Sequence, residues 1–360
     1  LIYQISIKCN PIKQRRMHMS FIYKKKVISP AELIQAYPLS KEDQAVKNKR
    51  DEEIKRVLCS ESDKFLVIVG PCSADKEDSV CDYVSRLAKV QEKVSDRLIL
   101  IPRIYTNKPR TTGEGYKGIV HQPDPVKKPD LNEGLIAMRK MHVRTFKETG
   151  LSAADEMLYP ENWPYVEDIL SYVAVGARSV EDQQHRLVIS GMDCPAGMKN
   201  PTSGDFSVML NSITASQGSH SFLYRSYEVE TTGNPYSHAV LRGAVNKHGQ
   251  SIPNYHYEDI ILLLNMYLER HLTNPALIID VNHANSNKDY SQQPRIVNEI
   301  MYNRSLTSEL KNFIKGVMIE SYIESGNQST HEHVYGKSIT DPCLGWAETE
   351  KLIYTIAERA

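Results

Sequence analysis

The stretch FLVIVG, residues 65–70, decides the fold of this chain. Its unbroken apolar character predicts a strand buried on both faces, as in the parallel sheets that helices cover on both sides. The run leads directly into GPCS at 70–73 and then into a stretch with helical periodicity at 78–94. We therefore interpret this part of the chain as one strand, loop and helix unit of an α/β fold.

The same alternation continues toward the end of the chain. Helical periodicity returns at 131–149, 163–172 and 257–272. Seven further runs are predicted as strands: LILIPRI (98–104), LSAADEM (151–157), VAVGAR (173–178), PAGMKN (195–200), AVLRG (239–243), ALIIDVNH (276–283) and IKGVMIE (314–320). Eight such units favour a closed (β/α)8 TIM barrel over an open sheet.

The domain organisation follows from this pattern. Residues 65–360 are predicted to form the barrel catalytic domain, and SFLYRSYEVETTG at 221–233 predicts an added β-hairpin on the outside, before the sixth strand. Residues 19–64 are expected to form an N-terminal extension whose charged, solvated helix begins after Ser40 as N-cap. We interpret residues 1–18, a basic segment without acids, as a disordered arm or as sequence upstream of the natural start.

The composition is that of a soluble globular protein. The 360 residues include 44 Lys+Arg and 44 Asp+Glu with 41% hydrophobic content, so nucleic acid and anionic membranes are not expected partners. No apolar run approaches the roughly 18 residues of a membrane helix, and the opening residues lack a secretory signal. The six cysteines form no C-x-x-C pair, which suits a reducing compartment. A cytoplasmic location is expected.

Every predicted strand delivers a functional side chain at its carboxyl end, the face on which TIM barrels build active sites. In chain order these residues are Cys72, Arg103, Glu156, Arg178, Lys199, Arg242, His283 and Glu320. Burying an unpaired ion costs several kcal/mol, so strands rarely end in such side chains by chance, and here all eight strands do. We therefore expect a ligand at this end of the barrel.

The cations among these residues predict a pocket for a small polyanion. The loop NKPRTTGEGYKG contributes two more, and the backbone N–H of Ala177 adds a donor. Guanidinium groups bind phosphate or carboxylate with two parallel hydrogen bonds. The predicted set is Arg103, Lys108, Arg110, Arg178, Lys199 and Arg242.

A second set predicts a metal centre. Cys72, His283 and Glu320 end three strands, and Asp341 in YGKSITDPCLGW is the natural fourth member. A thiolate, an imidazole and two carboxylates suit Mn²⁺, Fe²⁺, Co²⁺ or Zn²⁺ better than Mg²⁺ or Ca²⁺. The wide spacing of the ligands along the chain is typical of a catalytic metal.

Taken together, these motifs resemble the type I 3-deoxy-D-arabino-heptulosonate 7-phosphate (DAHP) synthases, which open the shikimate pathway. The resemblance runs from about residue 40 to the C-terminus, and the motifs occur in the family's order. They are GPCS (70–73), PRIYTNKPRTT (102–112), GARSVEDQQHR (176–186), CPAGMKN (194–200), LRG (241–243), VNHANSNK (281–288), IESYIESGNQS (319–329) and YGKSITDPCLGW (335–346).

The resemblance implies a condensation of phosphoenolpyruvate with erythrose 4-phosphate. It implies that Cys72, His283, Glu320 and Asp341 bind the metal. Phosphoenolpyruvate would be held by Arg103, Lys108, Ala177, Arg178, Lys199 and Arg242, with Glu156 close to it. Erythrose 4-phosphate would be held by Lys108, Pro109, Arg110, Thr111 and Asp341. We expect Lys108 to donate a proton to the nascent alkoxide and Glu156 to orient or deprotonate the attacking water.

Two alternatives remain open at this point. The related 3-deoxy-octulosonate 8-phosphate synthases use a five-carbon aldehyde, although KPRT and YGKSITD favour the four-carbon substrate. A sugar-phosphate or amino-acid sensor on an inactive barrel is the other alternative, which the intact cation and metal sets disfavour.

The resemblance also implies an oligomer and an effector. Family analogy favours a homodimer or homotetramer that uses the N-terminal segment and the 221–233 hairpin, with an aromatic amino acid as effector. Tyr224 and Arg225 stand where feedback-inhibited relatives often carry a smaller residue. We therefore predict weak or absent inhibition by phenylalanine, with tyrosine or no effector instead, unless Tyr224 points to solvent.

Overall fold

Eight parallel strands form the centre of the protein in a computed structural model that describes residues 21–110, 112–332 and 334–360. They are Phe65–Gly70, Leu98–Pro102, Ala154–Glu156, Tyr172–Val175, Ala196–Lys199, Ser237–Leu241, Leu277–Asp280 and Ile314–Glu320, called the first to eighth barrel strands. They are hydrogen-bonded in the order second, first, eighth, seventh, sixth, fifth, fourth, third. A parallel bridge between Arg103 and Ala154 joins the second strand to the third. The (β/α)8 prediction is confirmed.

The register of the first strand explains how the mouth of the barrel is assembled. All six residues of Phe65–Gly70 are buried, as their apolar run predicts. Gly70 pairs with Glu320 of the eighth strand, so that Glu320 ends beside the loop carrying Cys72. Parallel strands thus bring residues about 250 positions apart to one edge of the sheet.

Ten α-helices surround the strands in the described part of the chain. Ser40 caps the second of them, since its hydroxyl accepts from the Asp43 N–H at 3.0 Å. Their bounds are Pro30–Ala36, Lys41–Leu58, Glu77–Val94, Leu131–Thr149, Gln183–Ser190, Phe206–Gln217, Tyr257–Glu269, Gln293–Arg304, Ser308–Phe313 and Trp346–Arg359. Two short 3₁₀ helices span Pro160–Tyr165 and Tyr290–Gln292. None of the described helices has the length and apolar character that a membrane crossing requires.

One helix prediction is wrong. The segment 163–172 contains the end of the 3₁₀ helix Pro160–Tyr165 and a turn, and Tyr172 begins the fourth strand. Pro164 lies inside that 3₁₀ helix. Tyr172 pairs with Ala154 in the barrel sheet, which leaves only residues 166–171 after the 3₁₀ helix, and these form a turn instead of an α-helix.

The predicted hairpin is confirmed. Strands Ser221–Tyr224 and Tyr227–Glu230 pair antiparallel across a two-residue turn. Both turn residues, Arg225 and Ser226, have positive φ, 50° and 67°, the conformation that matches the twist of a tight hairpin. Two other small sheets pair Ala244–Val245 with Ser251–Ile252 and Glu324–Asn327 with Lys337–Ser338.

The core has two parts. The larger lies between the strands and the surrounding helices, and the smaller fills the barrel interior. Ile54, Val57 and Leu58 of the helix Lys41–Leu58 belong to the interior cluster, together with Leu66 and Ile278. This helix was expected to be solvated because of its charge pairs, but its last turns bury an apolar face against the barrel.

A buried histidine inside the barrel gives a pH-dependent stability. His238 of the sixth strand is 1% exposed, with Nε2 2.8 Å from the Tyr172 hydroxyl and Nδ1 2.8 Å from the Tyr236 carbonyl oxygen. Burial lowers the pKa of His238 to about 4. The folded state therefore holds the neutral ring, while the unfolded chain takes up a proton below its ordinary pKa of about 6.5.

We expect this contribution to stability to be complete above about pH 6.5 and to be lost as the pH falls toward about 4, on the order of 3 kcal/mol in all. Urea unfolding at pH 7 and at pH 4.5 measures it, with His238→Gln as the reference. The loss should be smaller in the variant. An equal loss in both proteins would show that other groups cause it.

Candidate active site

A cavity of about 280 Å³ opens at the carboxyl ends of the barrel strands. Most of the predicted site residues line it, whereas Cys72 and Glu320 are buried beside it, each no more than 1% exposed. Thr111 lies outside the described residues. The lining consists of Arg103, Lys108, Pro109, Arg110, Glu156, Ala177, Arg178, Lys199, Thr202, Arg242, Val245, His283, Lys288 and Asp341.

Arg103 and Lys199 are the most deeply buried residues of the predicted cation set. The Arg103 Nη1 lies 2.6 Å from Glu320 Oε1, and its guanidinium stacks on the Tyr105 ring at 4.0 Å from the centroid. Lys199 Nζ lies 5.8 Å from the centroid of the same ring. Burial opposes the charge of Arg103, but the Glu320 carboxylate raises its pKa. The Tyr105 ring therefore makes cation–π contacts with both cations.

Sequence reasoning missed Asp280. Its carboxylate is fully buried, with Oδ2 3.0 Å from Lys199 Nζ and 2.9 Å from His283 Nδ1. Burial opposes ionisation, but His283 and Lys199 hold the Asp280 pKa well below its ordinary value. The signal was present in ALIIDVNH, where a single acid interrupts an apolar strand. Lys288, which also lines the cavity, was not predicted either.

Three arginines that line the cavity give more direct evidence of a ligand than the paired cations do. Arg110, Arg178 and Arg242 form no salt bridge with any described residue, although Arg242 is only 9% exposed. Arg242 Nη1 and Arg103 Nε are buried and have no hydrogen-bond partner in the described chain. Since buried donors are almost always satisfied, these two groups indicate an anionic ligand in the cavity.

The predicted metal ligands converge at the deep end of the cavity. The ligand atoms of Cys72, Glu320 and Asp341 lie within 4.8 Å of one another. The Cys72 Sγ is 3.6 Å from Asp341 Oδ2. His283 is not part of this group of three, but its Nε2 lies 3.7 Å from Glu320 Oε1. The four residues are therefore neighbours, and three of them bring their ligand atoms together closely enough to share one metal ion.

Two neighbouring side-chain amides hold Glu320, one of the predicted metal ligands, in place. Asn282 Nδ2 donates to Glu320 Oε2 at 2.5 Å. The Gln293 side chain bonds the Glu320 backbone twice, donating to its carbonyl and accepting from its N–H, both at 2.9 Å. His283 reaches the site through a positive φ of 52° in the loop after the seventh strand. Outer contacts of this kind orient metal ligands.

The electrostatics of this corner fit a divalent cation. Burial and the Glu320 carboxylate raise the pKa of Cys72 to about 11. Burial also opposes ionisation of Glu320, but Arg103 and His283 lower its pKa. A bound cation stabilises the thiolate, and a mixed thiolate and carboxylate set is suited to a transition metal. The donor set therefore fits the metal that the sequence predicts.

Lys108 belongs to the predicted cation set and also contacts two of the predicted metal ligands. Its Nζ lies 2.5 Å from Cys72 Sγ and 3.6 Å from Asp341 Oδ2. Although burial opposes the charge, the Cys72 sulfur and the Asp341 carboxylate raise the Lys108 pKa, so that it remains an ammonium at neutral pH.

Glu156 also lines the cavity, where Gly176 gives its carboxylate room. A Cβ at Gly176 would lie 2.4 Å from Glu156 Oε1. A side chain at this position would therefore force the Glu156 carboxylate to move.

The mouth of this (β/α)8 barrel carries arginines without a salt bridge to any described residue, beside residues of the types that bind metals. This arrangement is the one expected of a barrel enzyme that acts on anionic substrates. A comparison with known protein families identifies the family within this class. The model of the DAHP synthetase I family matches residues 39–353, and the chain belongs to that family.

Individual relatives agree with this assignment. A phospho-2-dehydro-3-deoxyheptonate aldolase of Haemophilus influenzae is 34% identical over 340 residues, which cover 92% of this chain and 91% of the relative. A Trp-sensitive aldolase of Enterobacter agglomerans is 34% identical, with 92% and 94% covered. The structure of the aldolase from Francisella tularensis superposes with a TM-score of 0.88 at 31% identity, covering 94% of this chain and 98% of that one.

Proposed function

We propose that this protein is a metal-dependent DAHP synthase. In the reaction, C3 of phosphoenolpyruvate bonds to the aldehyde carbon of erythrose 4-phosphate, and the aldehyde oxygen takes a proton. Water adds at C2, and the bond from C2 to the phosphate oxygen breaks, releasing inorganic phosphate. One observation carries the proposal: a cavity lined by Arg110, Arg178 and Arg242 lies against the Cys72, Glu320 and Asp341 cluster.

The cations are assigned to two anions. Arg103, Arg178, Lys199 and Arg242 sit on or just after strands and would hold phosphoenolpyruvate, aided by the Ala177 N–H. Arg110 lies on the loop after the second strand, where its Nε is held by the Tyr116 carbonyl oxygen at 2.8 Å, and would hold the phosphate of erythrose 4-phosphate. Fixing two repelling anions at contact distance supplies proximity that solution does not.

The metal would be held by Cys72, Glu320 and Asp341 with His283 beside them. A divalent cation there supplies Lewis-acid stabilisation of negative charge on the aldehyde oxygen, typically several kcal/mol. We propose Mn²⁺, Fe²⁺, Co²⁺ or Zn²⁺, because a buried thiolate among carboxylates disfavours Mg²⁺.

Two side chains are assigned to proton transfer. Lys108, an ammonium within 3.6 Å of Asp341, would donate a proton to the aldehyde oxygen. Glu156, which also lines the cavity, would orient or deprotonate the water that adds at C2. Both groups are within a site that is largely shielded from solvent, where positioned acids and bases are most effective.

The test is phosphate release by Mn²⁺-loaded protein with phosphoenolpyruvate and one aldose phosphate at a time. We expect release with erythrose 4-phosphate and much slower release with arabinose 5-phosphate. Preference for arabinose 5-phosphate would instead assign the octulosonate reaction. Absence of release with both would support a binding protein without catalysis.

Regulation is the finer part of the proposal. A separate cavity of about 240 Å³ lies beneath the 221–230 hairpin and is lined by Tyr224, Trp163 and Glu167, among others. Tyr224 is half-buried and packs against the core, which supports the inward orientation of its ring. We propose this cavity as the aromatic effector site, in keeping with the Trp-sensitive name of a relative. We also propose, on family analogy, that the assembly is a homo-oligomer.

The ring of Tyr224 lines this cavity and narrows the space open to a ligand ring, and overpacking costs about 1–3 kcal/mol. We therefore expect weak or absent inhibition by phenylalanine. Titration of phenylalanine, tyrosine and tryptophan into the assay measures this, with Tyr224→Ser as the matched variant. Inhibition that appears only in Tyr224→Ser supports occlusion. Strong phenylalanine inhibition of the wild-type protein contradicts it.

A further inference from the structure

A buried carboxylate behind the active site has no part in the proposed chemistry. Asp155 precedes Glu156 on the third barrel strand, is 4% exposed, and does not line the substrate cavity. Among the described residues no lysine or arginine forms a salt bridge with it. A buried ion held in this way needs a structural or functional reason, because its desolvation is costly.

Hydrogen bonds satisfy the Asp155 carboxylate completely. Oδ1 accepts the backbone N–H of Thr106 at 2.9 Å and that of Glu156 at 2.7 Å. Oδ2 accepts the Thr106 hydroxyl at 2.5 Å and lies 3.3 Å from His142 Nε2. Three of these four contacts go to two residues on neighbouring segments of the barrel mouth. Asp155 therefore joins the loop after the second strand to the end of the third.

That loop carries Lys108 two residues after Thr106. Its backbone is tied on the other side by the Lys108 N–H, which donates to the Lys117 carbonyl at 3.0 Å, and by the Val120 N–H, which donates to Thr106 at 3.3 Å. These bonds hold the loop to the segment 117–120. Asp155 holds the same loop to the strand that presents Glu156.

We propose that Asp155 is a positioning residue, which fixes Lys108 and Glu156 relative to each other in the cavity. His142 on the helix Leu131–Thr149 supports it from behind, with its ring 2% exposed. The proposal rests on the proposed DAHP synthase function, in which these two groups move protons. Errors of about 1 Å in such groups cost on the order of a hundredfold in rate.

The test compares Asp155→Ala with Asp155→Asn. Alanine removes all four contacts, whereas asparagine keeps one oxygen for the two backbone N–H groups and offers its amide to the Thr106 hydroxyl. We expect kcat per folded molecule to fall at least about tenfold in Asp155→Ala and to recover to within about threefold of wild type in Asp155→Asn. KM for phosphoenolpyruvate should change less than kcat, because Arg178, Lys199 and Arg242, which are also assigned to it, lie on other strands.

The matched control is Asp168→Ala. Asp168 likewise accepts hydrogen bonds from a buried partner, in its case the Arg139 guanidinium at 2.7 and 2.8 Å, but it does not line the cavity. It is expected to lower the melting temperature without lowering kcat at a temperature where both variants are folded. A purely structural role for Asp155 would give the same behaviour in Asp155→Ala and would overturn the proposal.

A second readout needs no catalysis. In the ligand-free protein, hydrogen exchange at the Lys108 amide, whose acceptor is untouched, is expected to accelerate at least about tenfold in Asp155→Ala and not in Asp168→Ala. Unchanged exchange would overturn the proposal even in an active enzyme. If the wild-type protein itself releases no phosphate, the proposed function fails, and the exchange result still decides whether Asp155 fixes the loop.

Discussion

Cys72→Ser is expected to keep the barrel folded and to weaken metal binding by at least about a hundredfold, since loss of an outer-shell contact alone typically costs ten- to a hundredfold. The thiol is fully buried and lies within 4.8 Å of the Glu320 and Asp341 carboxylates. A hydroxyl is a much poorer donor to a transition ion than a thiolate is. Turnover at limiting metal is expected to fall in proportion.

Metal affinity is measured by titrating Mn²⁺ into chelator-treated protein and following both binding and rate. Cys194→Ser is the control, because this cysteine is also buried but bonds only the Leu170 and Pro195 carbonyls, far along the sheet from the cluster. Chelation is expected to abolish turnover, and added metal to restore it. Undiminished turnover after chelation would rule out the metal assignment.

Arg178→Ala is expected to lower kcat/KM for phosphoenolpyruvate by roughly two orders of magnitude. A charge-assisted hydrogen bond in a shielded site contributes about 2–3 kcal/mol, and Arg178 forms no salt bridge with a described residue that would compete for it. Folding is expected to be unaffected for the same reason. In contrast, Lys199→Ala leaves the buried Asp280 carboxylate without its partner at 3.0 Å and destabilises the barrel as well.

Arg110→Ala separates the two anion sites. Its principal effect is expected on KM for erythrose 4-phosphate, with KM for phosphoenolpyruvate nearly unchanged. Arg86→Ala is the control for loss of a cation, since Arg86 pairs with Asp82 on an outer helix at 3.0 Å. If Arg110→Ala impaired only phosphoenolpyruvate, the assignment of the two sites would be reversed.

The barrel could be predicted from sequence because its strands are buried on both faces and therefore read as continuous apolar runs. FLVIVG and IKGVMIE coincide with the observed strands Phe65–Gly70 and Ile314–Glu320. Charged residues at strand ends were conspicuous for the same reason, so Arg103 and Glu320 could be assigned to the site before their contact at 2.6 Å was known.

What could not be predicted depends on contacts between distant segments. Asp280 is visible in ALIIDVNH as an acid in an apolar strand, but its partners Lys199 and His283 are known only once the barrel brings them to it. Asp155 was missed because its partner Thr106 lies 49 residues away in the chain. The segment 163–172 was misassigned because its apolar spacing imitates a helix, whereas the chain there ends a 3₁₀ helix and turns directly into the fourth strand.

The central claim is that this barrel joins phosphoenolpyruvate to erythrose 4-phosphate with a metal held beside Cys72. The most direct measurement uses phosphoenolpyruvate labelled with ¹³C at C3, together with erythrose 4-phosphate and Mn²⁺-loaded protein, followed by NMR and by phosphate release. We predict that the labelled vinyl carbon becomes a saturated carbon bonded to the former aldehyde carbon, with one phosphate released per bond, and that chelation stops both. Phosphate release without that carbon–carbon bond, or bond formation that continues after chelation, would contradict the account.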